Sequence, residues 1–136
     1  MMEPKKMKYR KSHRLRGGRR GIANSGYTLC FGSAGLKSIE GNEISAKQIE
    51  AARKAMTHYV KRGGKIWIRI FPHKSVTKKA AEVPMGSGKG DIAKYVAEVR
   101  PGTIIFEMDG VSVAHAREAM RLAAHKLPVK CKFISK

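Results

Sequence analysis

The chain has 136 residues, with 29 Lys and Arg against 10 Asp and Glu, for a formal net charge of +19. That length holds one core rather than two, and a compact fold with so much positive charge repels itself unless a polyanion lies nearby. Nucleic acid and anionic membrane surfaces are the candidate partners, and the lack of any run of about 18 apolar residues excludes a membrane span.

The first apolar clusters come only after a basic run, so the amino terminus has no apolar core of a secretory signal, and the chain is expected to stay inside a cell or organelle. From Lys5 to Arg20 the sequence KKMKYRKSHRLRGGRR places a cation every one to three positions and has too little apolar content for a core. Long basic side chains on an extended segment can follow a phosphate backbone, and arginine adds bidentate contacts and stacking on exposed bases. Residues 1–24 therefore read as an RNA-binding arm; a merely solvated charge run or an organellar transit peptide is the alternative.

Tyr27–Gly32 (YTLCFG) has the apolar and aromatic content of a strand, and Gly32 and Gly35 separate it from a second short run, Leu36–Ile39. Ser45 followed by Gln48 has the form of a capping box, so a helix is expected to begin there. Ile49, Ala52, Met56, Tyr59 and Val60 supply its apolar face, and Gly63-Gly64 is the expected stop. Lys65–Phe71 (KIWIRIF) alternates, with Ile66, Ile68 and Ile70 on the core face and Lys65, Trp67 and Arg69 on the other. The second triplet combines cations with an aromatic ring, which suits either RNA or an ordinary half-buried strand surface.

Residues 73–91 (HKSVTKKAAEVPMGSGKGD) form a long connection with a glycine-rich tip, and long loops in small domains are either functional or disordered. The tip resembles a phosphate-binding P-loop only superficially. The first Gly and the final Ser or Thr of that motif fall at Val83 and Gly90, and a strand rather than a helix is expected next. A narrow finger whose glycine backbone can approach RNA closely is the reading favoured here. Strands are expected at Lys94–Arg100 and Thr103–Met108, joined as a hairpin by Pro101-Gly102. Ser112 caps a second helix with a buried stripe of Ala116, Ala119, Met120, Ala123 and Leu127, ended by Pro128, and a last strand spans Val129–Ile134.

Residues 25–136 thus read as a single α+β domain, with two helices packed on one face of a mainly antiparallel β-sheet and a loop at 73–91. Cys30 and Cys131 sit in apolar segments as reduced packing residues, and His13, His58, His73, His115 and His125 are not paired at metal-ligand spacing. No catalytic set and no cofactor motif is present; Glu107 and Asp109 fall at a strand end where a turn explains them.

Several blocks together resemble one family, the bacterial-type large-subunit ribosomal protein sixteen. They are Pro4–Lys6 with Lys8–Arg14, Phe31–Lys37, Gln48–Arg53, Gly64–Arg69, Met85–Gly90, Phe106–Gly110 and Ala124–Pro128, in family order over nearly the whole chain. The resemblance implies a non-enzymatic constituent of the large ribosomal subunit of a bacterium or organelle. It would bind large-subunit rRNA, neighbour other ribosomal proteins and help shape the aminoacyl-tRNA site. The residues expected at rRNA are Lys5, Lys6, Lys8, Tyr9, Arg10, Lys11, His13, Arg14, Arg16, Arg19 and Arg20 in the arm, with Lys65, Trp67 and Arg69 on the alternating strand. Those expected toward the peptidyl-transferase region and tRNA are Lys78, Lys79, Met85, Gly86, Ser87, Gly88, Lys89 and Gly90. The chain departs from the family at Pro84, where an arginine hydroxylated in some bacteria is common, and at Ala80, where a proline is usual. A free-standing, non-specific RNA-binding or assembly protein is the competing reading, and it predicts binding that salt washes away.

Overall fold

The computed structural model describes residues 2–14 and 21–136. Arg16, Arg19 and Arg20 of the expected arm lie outside the described residues. In chain order the elements are β1 (Ala34–Ser38), β2 (Asn42–Ser45), α1 (Ala46–Tyr59), β3 (Lys65–Ile68), β4 (Lys74–Lys78), β5 (Asp91–Val99), β6 (Ile104–Asp109), α2 (Val113–Ala124) and β7 (Cys131–Ser135). The α+β class is as expected, but the strands divide into two antiparallel sheets rather than one. One has the order β3-β6-β1-β7 and the other β2-β5-β4.

Three local expectations are corrected. Pro101-Gly102 does make a turn, with Gly102 at φ +96 and the Thr103 amide donating to the Arg100 carbonyl at 3.1 Å. Its two flanking strands nevertheless do not pair. The Gly102 amide donates to the Ser38 carbonyl and the Ser38 amide to the Thr103 carbonyl, both at 2.8 Å, so the turn is held by the end of β1. From there β5 runs between β2 and β4 while β6 runs between β3 and β1. Tyr27–Gly32 is not a strand, because the amides of Cys30, Phe31 and Gly32 all point at one carboxylate, that of Glu107, instead of at a neighbouring strand. The start of the expected long loop forms β4, which pairs with β5 from Lys74↔Val96 to Lys78↔Asp91, so the connection shortens to residues 79–90.

Both helix starts are as the sequence suggests. Ser45 Oγ accepts from the Gln48 amide at 3.3 Å while the Ser45 amide donates to Gln48 Oε1 at 2.9 Å, closing the capping box. Ser112 Oγ accepts from the His115 amide. The buried faces meet in one core: Ile49, Ala52 and Met56 from α1, Ala116, Ala119, Met120 and Ala123 from α2, with Leu36, Phe106 and Met108 from the larger sheet and Ala97 and Val99 from the smaller.

The end of α1 differs from expectation. The helix stops at Val60, before the Gly63-Gly64 pair, in a Schellman-type reversal: the Arg62 amide donates to the Thr57 carbonyl at 3.3 Å and the Lys61 amide to the His58 carbonyl at 3.4 Å. The left-handed position normally given to glycine is held by Lys61 at φ 51, followed by Arg62 at φ 64. Such a conformation costs roughly 1–2 kcal/mol for a residue with a Cβ. Placing a cation at the negative end of the helix returns only about 0.3–1 kcal/mol.

Candidate nucleic-acid interface

The sequence-predicted residues fall into two groups, one on each sheet. On the smaller sheet the arm lies across β4 and β5 and meets the base of the glycine-rich loop. Ser75 Oγ, on β4, donates to the Arg10 carbonyl at 3.0 Å and so fixes the arm's backbone. Lys11 Nζ donates to the Lys89 carbonyl at 3.1 Å, and Lys89 Nζ in return donates to the Ser12 carbonyl. These crossed hydrogen bonds tie arm to loop; Lys11 Nζ also lies 4.0 Å from the exposed Asp91 carboxylate, while Lys89 has no carboxylate partner among the described residues. Arg14 grips Glu43, on β2, through two nitrogens at 3.1 and 2.8 Å, and Arg10 lies 3.5 Å from Asp91 at the start of β5. Ser12, Arg14, Ser75, Thr77 and Lys89 line a small cavity of about 190 Å³ along this seam.

Lys5, Lys6, Lys8, Tyr9, Arg10, His13 and Arg14 are exposed, with Lys8 Nζ 5.4 Å from the Tyr9 ring centre. In the loop, Lys78 is exposed and Lys79 Nζ donates to the Gly86 carbonyl, drawing the tip back over its base. Gly86, Ser87 and Gly88 all have positive φ, at 106, 60 and 93, and Met85 at the tip is 94% exposed. An apolar side chain presented so fully to solvent stabilises nothing within the chain. Gly90 allows a close approach where the loop rejoins the sheet: a Cβ there would lie 3.0 Å from the Lys78 carbonyl.

The second group lies on the outer face of the larger sheet. Lys65, Trp67 and Arg69 are close together, as the alternation predicts, with Lys65 Nζ 5.3 Å from the Trp67 ring centre. Phe31 stacks on Trp67 with ring centres 6.0 Å apart, and the Arg69 guanidinium lies 5.3 Å from the Phe31 ring. Beneath them is Glu107, fully buried, and this corrects its reading as a turn residue. Its Oε2 receives Arg69 Nη1 at 2.7 Å, and its Oε1 receives the amides of Cys30 at 2.8 Å, Phe31 at 3.2 Å and Gly32 at 3.4 Å. Burial pushes this carboxyl's pKa up, but the guanidinium and the three amides outweigh it and hold the pKa below the ordinary carboxylate value. Gly32 and Gly35 let the overlying segment approach this closely: a Cβ on Gly32 would come within 2.6 Å of the Met108 carbonyl, and one on Gly35 would strike Leu29. Arg69 is therefore occupied within the fold, while Lys65, Trp67 and Phe31 present the open surface.

Phe31 and Ser75 belong to these two surfaces and were not singled out from the sequence. Phe31 sits in a segment with no usable periodicity, and Ser75 acts through a partner 65 positions away. Cys30 and Cys131 are both free; burial, with a smaller push from Glu40, raises the Cys131 thiol to about 11. Among the described residues, no helix is long and apolar enough to cross a membrane, and no group of three His, Cys, Asp or Glu side chains is placed to hold a metal.

Comparison with known proteins places the chain in a family. Residues 4–134 match the family model described as Ribosomal protein L16p/L10e. Over all 136 residues the chain is 57% identical to the Large ribosomal subunit protein uL16 of Exiguobacterium sibiricum, covering 92% of that relative. It is 55% identical to the protein of the same name from Rhodopseudomonas palustris strain BisA53, covering 98% of it. The chain belongs to the ribosomal protein L16p/L10e family, and it is a structural constituent of the large ribosomal subunit rather than an enzyme.

Proposed function

We propose that the seam of arm and loop is the principal rRNA-binding surface of this constituent, and that the loop tip helps shape the aminoacyl-tRNA site near the peptidyl-transferase centre. The observation that carries this reading is the pair of crossed hydrogen bonds, from Lys11 to the Lys89 carbonyl and from Lys89 to the Ser12 carbonyl, which joins the basic arm and the glycine-rich loop into one surface. The surrounding cations Lys5, Lys6, Lys8, Arg10 and Lys78 are exposed and suited to phosphate oxygens, which position a protein without reading sequence. Lys65, Trp67 and Phe31 form a second surface where an unstacked base can lie on an aromatic ring beside a cation. The fully exposed Met85 and the left-handed Gly86-Ser87-Gly88 backbone suit a finger that enters a crowded RNA cleft, with the acceptor arm of tRNA as its neighbour. Positioning is the role, and no bond chemistry is assigned. Bacterial relatives at this identity point to a cytoplasmic bacterial ribosome as the location.

The test has two stages. Tagged protein sedimented through high-salt sucrose gradients is expected to travel with the large subunit at one copy per particle; release to the top would indicate the non-specific RNA binder instead. With a photo-reactive residue in place of Met85, cross-links are expected to rRNA of the peptidyl-transferase region and to aminoacyl-tRNA. Cross-links confined to ribosomal proteins would remove the loop from the tRNA site.

A further inference from the structure

We propose that the carboxy-terminal turn of α1 is a separate RNA-phosphate contact, centred on Lys61 and Arg62 and distinct from the surface of the arm and loop. This rests on the rRNA-binding reading above and extends it to residues that reading does not use.

Arg53, Lys54, Thr57, His58, Lys61 and Arg62 line an open groove of about 570 Å³ on the last turns of α1. Glu50 is the carboxylate beside it, and it is engaged by Arg53 through paired hydrogen bonds. Lys61 and Arg62 are exposed and make no side-chain hydrogen bond or ion pair among the described residues. A groove with several cations and no free carboxylate has the charge complementarity of a phosphate backbone.

A solvated helix end would carry such charges too, and the backbone separates the two cases. The reversal that ends α1 places Lys61 at φ 51 and Arg62 at φ 64, where glycine is at ease and a side chain is not. The chain has glycines at the next two positions, 63 and 64, so the left-handed residues are cations in a stretch already rich in glycine. The favourable helix-end charge is smaller than the strain and applies chiefly to the first of the two. Outliers of this kind persist where the surrounding structure over-determines them, and they cluster at functional sites. What the strain provides is aim: two consecutive left-handed residues turn the chain sharply and hold two long cationic side chains outward at the corner. Thr57, whose hydroxyl donates to the Arg53 carbonyl at 2.9 Å, stays tied to the helix and leaves the groove to the cations. From the Ser45 cap, beside the arm's first residues, this corner is about 20 Å along the helix. It therefore meets a different stretch of RNA from the one the arm follows.

The experiment compares the full-length protein with Lys61→Gly/Arg62→Gly and with an arm variant, Lys5→Ala/Lys6→Ala, for binding to transcribed large-subunit rRNA over a range of salt. Each lost phosphate contact lowers the slope of log affinity against log salt by about 0.7–0.9. The double glycine variant is expected to unfold at higher urea than the parent while its slope falls by about 1.5. A variant that gains stability and binds with an unchanged slope, while the arm variant loses affinity, overturns the proposal and leaves a solvated helix end. If neither variant changes the slope, the rRNA-binding reading itself fails. In assembled subunits, a photo-reactive residue at position 62 is expected to label rRNA, and exclusive labelling of a neighbouring protein would assign the corner to that protein instead.

Discussion

Arg69 on the larger sheet and Lys89 beside the smaller one are held in opposite ways. On the outer face of the larger sheet, Arg69 is drawn down onto the fully buried Glu107, with side-chain exposures of 16% and 0% for the pair. Three backbone amides complete that carboxylate's shell, so the charge is consumed inside the fold and locks the crossing segment 27–32 in place. On the smaller sheet, Lys89 is held by the Ser12 carbonyl without being neutralised, and Lys11 is held by the Lys89 carbonyl with only the exposed Asp91 carboxylate, 4.0 Å away, as a counter-charge. A positive charge with a buried carboxylate is a structural tie, whereas a positive charge held by backbone carbonyls remains available to an outside anion. The number of cations alone does not separate these cases, because both regions are basic in sequence.

This contrast can be broken most severely at Glu107. Glu107→Ala would leave Arg69 and three amides without their partner, and removing one member of a buried ion pair costs about 3–5 kcal/mol. A urea titration is expected to show a large fall in midpoint. A fall below about 1 kcal/mol would mean that the cradle is an ordinary surface pair. Acid sharpens the same point. Because the folded pKa of Glu107 lies below its unfolded value, its contribution is fully present above the unfolded value, about 4.3. It is lost as pH falls through the folded value. Unfolding measured from pH 6 downward is expected to steepen in the parent relative to Glu107→Gln, and parallel curves would remove the charge from the account.

Smaller effects follow on the exposed surfaces. Phe31→Ala removes the stack on Trp67 and is expected to cost about 1 kcal/mol beyond the lost area, read as a reduced urea midpoint with a rise in Trp67 solvent quenching. Lys89→Met is expected to change stability by less than about 0.5 kcal/mol while lowering the salt slope of rRNA binding by about 0.7–0.9. If that substitution instead destabilised the fold as much as Phe31→Ala, the seam would be structural and the distinction between the two sheets would collapse.

Much of this was legible in the sequence. The capping residues Ser45 and Ser112, the buried stripe of α2 from Ala116 to Ala123 and the alternation of Lys65, Trp67 and Arg69 are local patterns, since each depends on neighbours within one or two turns or pleats. The basic arm and the glycine-rich tip were legible for the same reason. Composition also established that the partner is a polyanion, and the order of the motif blocks pointed to the family.

What only the tertiary structure decided are the pairings across distance. Pro101-Gly102 carries a sound turn signal, yet its strands go to different sheets because β1 takes up the turn's own amides and carbonyls. Tyr27–Gly32 has strand composition, but its amides are claimed by a carboxylate 75 to 77 positions away. The stop of α1 came at Val60 rather than at the glycines, since closing hydrogen bonds and the position of Gly64 against the Asp109 carbonyl outweigh local preference there. Local propensities differ by about a kilocalorie per residue, while satisfying a buried backbone or carboxylate group is worth more. Wherever the two disagreed in this chain, the distant partner prevailed.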